Sequence, residues 1–266
     1  AASDVYKRQL AARVALFQNK MTDAANYAEA VLANSSFSLA STAMDFSKNW
    51  VAGSSSPEII FAYVNNSRAS SPLNFTLYVN DTDGSWNYAP SDWCYSSLFA
   101  DDNTLSRKGD VRLKATFTSQ DANRVIKYPN GTYQLAETSD YTCTPVVISR
   151  ISEMYLIKAE ALGKTNGAAA LVEYMKKRYT TAPSEAAIKA LSDKEYQTLI
   201  LDERRREFYA EGMRWQDIKR TNRLELLETL DGRTYLMYYP IPQDEIDMAG
   251  TVAYPQNPGY AGYTGN

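Results

Sequence analysis

The sequence contains no histidine. That removes the usual Ser–His and Cys–His nucleophile pairs, the His-based zinc sites and the commonest general base near neutral pH. An enzyme built from this chain would have to work with carboxylates, Lys or Tyr. Cysteine is scarce: Cys94 and Cys143 are the only two, their spacing matches no metal motif, and one disulfide or two thiols are both open. No apolar run is long enough to span a bilayer, and the first residues lack the charged start and apolar centre of a signal peptide. Neither charge sign dominates. The 28 Lys and Arg against 31 Asp and Glu leave a net charge of −3, and only Arg204, Arg205 and Arg206 form a basic block, which argues against nucleic acid as a partner.

What is present suits a globular chain. With 44% hydrophobic and 22% charged residues in 266 positions, the chain has the material for a large core in one or two domains. Tyrosine is abundant, 20 residues against 8 Phe and 4 Trp, and a ring with an apolar face and a polar edge serves wet binding surfaces as well as cores.

The densest pattern lies at residues 191–220. Ser192 followed by Glu195 matches a capping box, in which hydroxyl and carboxylate satisfy free N–H groups at a helix start. Tyr196, Leu199 and Ile200 make an apolar stripe at helical spacing, and Glu203, Glu207 and Glu211 continue the same face up to an expected stop at Gly212. Buried carboxylates are costly unless paired, so these three must reach solvent or meet cations such as Arg150, Arg204, Arg205, Arg206 or Arg214.

Elsewhere, residues 10–19 and 22–32 read as an Ala-rich helix hairpin. Residues 4–9 match the translation of a sequencing-adaptor end, so residues 1–9 are expected to be foreign to the gene and are set aside, with the chain taken as a fragment. The hairpin (10–34) then precedes a loop-rich insertion (35–145), with strands expected at 58–64 and 75–79 and a short helix at 92–99. Residues 109–112 read as a turn. In the polar stretch 80–85 the EF-hand spacing fails, because Val79 and Pro90 would occupy the first and twelfth ligand positions. A helical region (146–266) follows, with helices at 148–162, closed by Gly163, at 168–179 and at 223–230. The prolines of the tail, such as Pro240, Pro242, Pro255 and Pro258, should keep it extended and packed against the helices. Two helix–turn–helix units resemble tetratricopeptide repeats.

Three segments together resemble the C-terminal half of the SusD/RagB family: residues 150–162 (RISEMYLIKAEAL), 203–220 (ERRREFYAEGMRWQDIKR) and 239–260 (YPIPQDEIDMAGTVAYPQNPGY). The resemblance implies a mainly α, SusD-like fold, with tetratricopeptide-type hairpins carrying a loop-rich insertion that contains short β-strands and the ligand face. It also implies a nutrient-binding lipoprotein on the outer face of the Bacteroidetes outer membrane, whose signal peptide and anchoring cysteine lie outside these residues. Such a protein binds glycans without cutting them and passes its ligand to a SusC-type TonB-dependent transporter; no cofactor and no metal-ligand set is read from the residues.

Trp86 and Tyr88, in the polar loop 81–92, are the candidate sugar-stacking residues, with Asn87 and Asp83 as hydrogen-bonding partners. Trp93 and Tyr95 begin a predicted helix, where a core role competes with stacking. Arg150, Glu153, Glu160, Glu203, Arg204, Glu207, Glu211 and Arg214 are assigned to a structural ionic network. The sharper alternative makes the glutamates the acid and base of a glycoside hydrolase, but neighbouring arginines would keep them ionised, whereas a general acid needs a raised pKa. A protein-binding tetratricopeptide-like scaffold is the remaining alternative.

Overall fold

The computed structural model describes residues 2–51, 56–63, 89–117, 124–127, 144–227, 230–249 and 255–261. The chain divides into two units, Ala1–Glu211 and Gly212–Asn266. The described residues are mainly helical, and their strands pair two by two.

The first unit opens with helices α1 (Ala2–Phe17) and α2 (Met21–Leu32), which reverse direction around Asn19 at φ 59°. Ala12, Ala15, Ala24, Ala25 and Ala28 are all buried, and their small side chains let the two axes approach. Ala12, Ala15, Ala24 and Ala28 share a core with Ile151, Met154 and Ile157. Short helix α3 (Ala43–Ser47) starts at Thr42, whose hydroxyl accepts from the Asp45 N–H. Strand β1 (Ile59–Tyr63) pairs antiparallel with β3 (Val146–Arg150). Strand β2 (Lys108–Asp110) pairs antiparallel with β4 (Tyr179–Thr181) and leads into α4 (Val111–Thr116), where the Asp110 carboxylate accepts from the Arg112 N–H.

The long helical segment α5 (Ile151–Arg178) is broken at Gly163, whose φ of 65° and ψ of 174° only glycine adopts readily. Its two halves fold back on each other. Tyr155 donates to Glu173 across them, and Gly167 lies so near the Ala159 carbonyl that no Cβ fits between. Helix α6 (Glu185–Ala190) is followed by α7 (Asp193–Glu207), which begins with the expected capping box: Glu195 N–H donates to Ser192 Oγ at 3.2 Å and Ser192 N–H to Glu195 Oε2 at 2.7 Å.

The second unit carries α8 (Arg214–Thr221), a 3₁₀ turn at Leu224–Leu226, another at Thr234–Met237, and α9 (Gln243–Met248). Beyond α9, the Gln256 amide both accepts from and donates to the Ile241 backbone, and Asn257 and Tyr260 donate to the carbonyls of Tyr239 and Tyr238.

Several expectations change. The helix of residues 191–220 ends at Glu207, because the chain then turns through Ala210 at φ 63° and Gly212 at φ 77°, so Glu211 is not on the helix. Residues 148–150 belong to β3, and their side chains feed the core from a strand. Where a helix is expected at 223–230, the described residues show a 3₁₀ turn at Leu224–Leu226. The short helix expected at 92–99 is present over 92–98, with Cys94–Leu98 in the wider π form, whereas the turn at 109–112 is the end of β2 joined to α4. The tail is not wholly extended: Pro242, which needs no N–H there, precedes α9, and the tail's last described residues pack on its own earlier stretch. Residues 4–9, set aside above, are helical, and Val5 and Gln9 are buried. The strand expected at 75–79 lies outside the described residues.

Candidate functional site

Glu203 and Glu207 stand one turn apart on α7, and both are fully buried. Three separate elements deliver arginines to them, and a further segment adds a third carboxylate. The end of β3 brings Arg150, which donates to Glu207 Oε1 at 2.6 Å. The last residue of α5 is Arg178, which donates to Glu207 Oε2 through Nε and to Oε1 through Nη2, both at 2.9 Å. From α4, Arg112 reaches Glu203 at 2.9 Å and Glu207 at 3.3 Å, while Asp110 holds its other edge. Just ahead of β1, Glu58 accepts from Arg178 at 2.7 Å and from Arg150 at 3.2 Å.

Hydroxyls complete the valences. Tyr174 donates to Glu207 at 2.7 Å, and Tyr179 donates to Glu203 at 2.5 Å while accepting from Arg112 and Arg107. Aromatic rings cover the guanidinium faces: Arg178 lies 5.0 Å from the Phe46 centroid, and Arg150 lies 5.3 Å from that of Trp50 and 5.1 Å from that of Phe208. Such stacking compensates part of the cost of burying a cation.

Glu211, in the turn after α7, rejoins the cluster by accepting from Arg150 at 2.9 Å and from Lys127 at 2.8 Å. The Lys127 ammonium also caps the C-terminal end of α7, donating to the carbonyls of Glu207 and Tyr209 at 3.0 Å each.

Burial pushes the Glu207 carboxyl up, but Arg178, Arg150 and Arg112 outweigh it and hold the group well below the ordinary 4.5. Burial likewise raises Glu203, and Arg112, Arg206 and Arg107 bring it below 4.5. Burial lowers Lys127 from 10.5 to about 8, because Glu211 offsets only part of the loss and Arg150 adds to it. Glycosidic acid–base chemistry needs one accessible carboxyl with a raised pKa. Glu203 and Glu207 have neither property, so their arrangement makes a brace between helices and strands.

The other residues assigned to the network make further contacts. Glu153 holds α1 to α5, bonded by Gln9 at 2.9 Å and by Arg13 at 2.8 and 2.7 Å. Arg204 is buried with its guanidinium 5.3 Å from the Phe208 ring centroid, Arg214 donates to the Leu226 carbonyl at 3.3 Å in the second unit, and Glu160 is half-buried on α5.

Arg178, Arg112, Lys127, Glu58, Asp110, Tyr174 and Tyr179 were missed. Arg178 follows Lys176 and Lys177 and reads as an ordinary basic helix end. Nothing local marks the others as charges of a buried centre: Asp110 and Arg112 pair two residues apart, and the remaining bonds into the centre span 24 or more residues.

Of the candidate ligand residues, Trp86, Tyr88, Asn87 and Asp83 lie outside the described residues. Trp93 is half-buried, packed against the cluster of Cys94, Leu98, Phe99, Phe117 and Val125, with the Arg205 guanidinium 4.2 Å from its ring centroid. A sugar could stack there only by displacing Arg205. Cys94 is a buried free thiol 3.3 Å from the Tyr209 hydroxyl, and Cys143 lies outside the described residues.

A profile described as the SusD family matches residues 101–233, half of the chain. The chain belongs to the SusD family. Most of the ionic centre, from Arg112 to Glu211, falls within the matched residues, whereas Trp86, Tyr88 and Trp93 fall outside them. SusD-like protein P38 of Formosa agariphila is 30% identical over 142 residues, which are 48% of this chain and 27% of that protein. A solved SusD superfamily protein from Bacteroides thetaiotaomicron matches 94% of this chain and 59% of its own, at 24% identity and a TM-score of 0.66. A SusD-like carbohydrate-binding protein from Bacteroides vulgatus matches 80% of this chain and 44% of its own, at 21% identity and a TM-score of 0.56. Surface glycan-binding protein A from B. thetaiotaomicron matches 96% of this chain and 63% of its own, at 21% identity and a TM-score of 0.63. These solved structures share the SusD fold with this chain, and the chain spans less than two thirds of each of these relatives.

Proposed function

We propose that this chain belongs to a non-catalytic glycan-binding protein that is lipid-anchored at the outer face of a bacterial outer membrane and delivers its ligand to a SusC-type TonB-dependent transporter. The observation that carries the reading is membership of the SusD family, with relatives named for carbohydrate and surface glycan binding. The burial and ionisation of Glu203 and Glu207 support the non-catalytic part, since the glutamates that might have suggested a hydrolase are enclosed by arginines.

Trp86 and Tyr88 are proposed to stack on sugar rings, with Asn87 and Asp83 bonding hydroxyls. The test is a glycan array followed by affinity electrophoresis, comparing the parent with a Trp86→Ala, Tyr88→Ala variant. Retention of at least one glycan by the parent and its loss in the variant are expected. Equal retention by both would remove the assignment of these two residues. Release of reducing ends from the retained glycan would overturn the non-catalytic reading. Co-purification of a TonB-dependent transporter from the native outer membrane checks the delivery role.

A further inference from the structure

A cleft of about 870 Å³ opens in the first unit between α7, the end of α6 and the turn at residues 102–107. It lies in the size range of small-molecule sites, roughly 300–1,000 Å³. Both walls are held firmly. Asp102 and Arg107 exchange backbone hydrogen bonds at 2.7 and 2.8 Å, and Asp102 Oδ1 accepts from the N–H groups of Thr104 and Leu105. The opposite wall is the capped start of α7.

Two buried arginines, Arg107 and Arg206, line the cleft. Arg206 is tied to Glu203 at 2.9 Å and to the Leu98 carbonyl. Arg107 is tied to the Tyr179 hydroxyl and the Ala100 carbonyl at 3.3 and 3.2 Å, so both guanidinium groups are held in place by the protein itself.

The lining balances charge. Arg107, Arg206 and Lys194 face Asp102, Glu195 and Asp202, with the hydroxyls of Thr104 and Thr198 among them and Leu105 and Leu199 beside them. A simple anion or cation gains little from such a set. A polyhydroxyl ligand gains from it, because each hydroxyl both donates and accepts while the ring C–H groups need an apolar neighbour.

On the premise that the chain binds glycan, we infer that this cleft is a second saccharide subsite, taking an uncharged sugar unit and lined by described residues outside 81–92. Backbone amide NMR of the whole chain tests it, with maltotriose, cellotriose and xylotriose as probes and trigalacturonic acid as the charged control. An uncharged trisaccharide should shift the amides of Ala190, Thr198 and Leu199, and should still do so in the Trp86→Ala, Tyr88→Ala variant. Ala190→Trp, at an exposed lining position, should weaken that response by more than about tenfold by occupying the cleft. If these sugars bind the chain but leave the cleft amides unmoved, or if only trigalacturonic acid moves them, the subsite is overturned while glycan binding stands. If the glycan array and these titrations all show no binding, both readings fall.

Discussion

Arg178 grips Glu207 by both carboxylate oxygens, Nε to Oε2 and Nη2 to Oε1 at 2.9 Å each, with both side chains fully buried. The pair joins the end of α5 to the end of α7, and Arg150 and Glu58 extend it to the strand pair. Two parallel bonds fix direction as well as distance, which a lysine in place of Arg178 would not do.

Replacing one partner should therefore be costly. Glu207→Ala leaves Arg178, Arg150 and Arg112 buried without their shared anion and is expected to cost roughly 3–5 kcal/mol. Urea unfolding of the variant measures this. The surviving folded protein should retain the ligand preference of the parent, and an unchanged midpoint with altered preference would assign Glu207 to ligand recognition.

Acid should act on the same groups. Glu207 and Glu203 titrate below the ordinary 4.5 in the folded protein, so the unfolded chain takes up their protons first. Their contribution is complete above pH 4.5 and is lost as the pH falls through their lower folded values. The melting temperature should drop steeply below that point, and Glu207→Gln should flatten the slope.

Lys127 predicts a further rise of stability with pH on the alkaline side. Its folded value of about 8 lies below the 10.5 of an ordinary lysine, so the unfolded chain holds the extra proton between the two. Stability should rise as the pH increases through 8. The rise should end near pH 10, where the unfolded tyrosines ionise while Tyr174 and Tyr179, raised well above 10.0 by burial, keep their protons. A pH series of melting curves should show the rise in the parent and not in Lys127→Met.

Gly163 and Gly167 should both resist substitution, for different reasons. A Cβ at Gly163 meets nothing within 4 Å, but φ 65° with ψ 174° strains any L residue, and Gly163→Ala should cost about 1–3 kcal/mol. At Gly167 the backbone is helical and the obstacle is steric, since a Cβ collides with the Ala159 carbonyl that also accepts from Tyr196. Gly167→Ala should consequently disturb the Tyr196 environment, seen as a shift in its ring NMR signals, whereas Gly163→Ala should not.

In the second unit Gln256 takes the place of a strand partner for Ile241, with bonds of 2.7 and 2.9 Å to its N–H and carbonyl. Gln256→Ala should expose the Ile241 amide. Loss of two bonds at about 1 kcal/mol each should speed its hydrogen exchange by roughly tenfold or more.

Much of the helical content was legible because it is encoded locally. The capping box at Ser192 and Glu195, the alanine pattern of the hairpin and the glycine at 163 act through neighbours within a few residues, so spacing alone locates them. Element ends were less legible. Residues 148–150 were assigned to a helix although Val146, Val147 and Ile148 are β-branched, because the stripe that continues into α5 masked them. The end of α7 was placed five residues late, because Glu211 fits the helical period although the chain has already turned.

By itself the sequence determined that this chain is mainly helical, that a histidine-based site is excluded, and that the carboxylates of α7 need cations. The family signature was legible there too. Which cations answer was decided only by the tertiary structure. Arg178, Arg112 and Lys127 lie 29, 95 and 80 residues from Glu207, and no local rule connects positions so far apart. The charges meet only once the strand pairs and the break at Gly163 have folded the segments together, and the apolar packing that carries them inward makes their pairing obligatory.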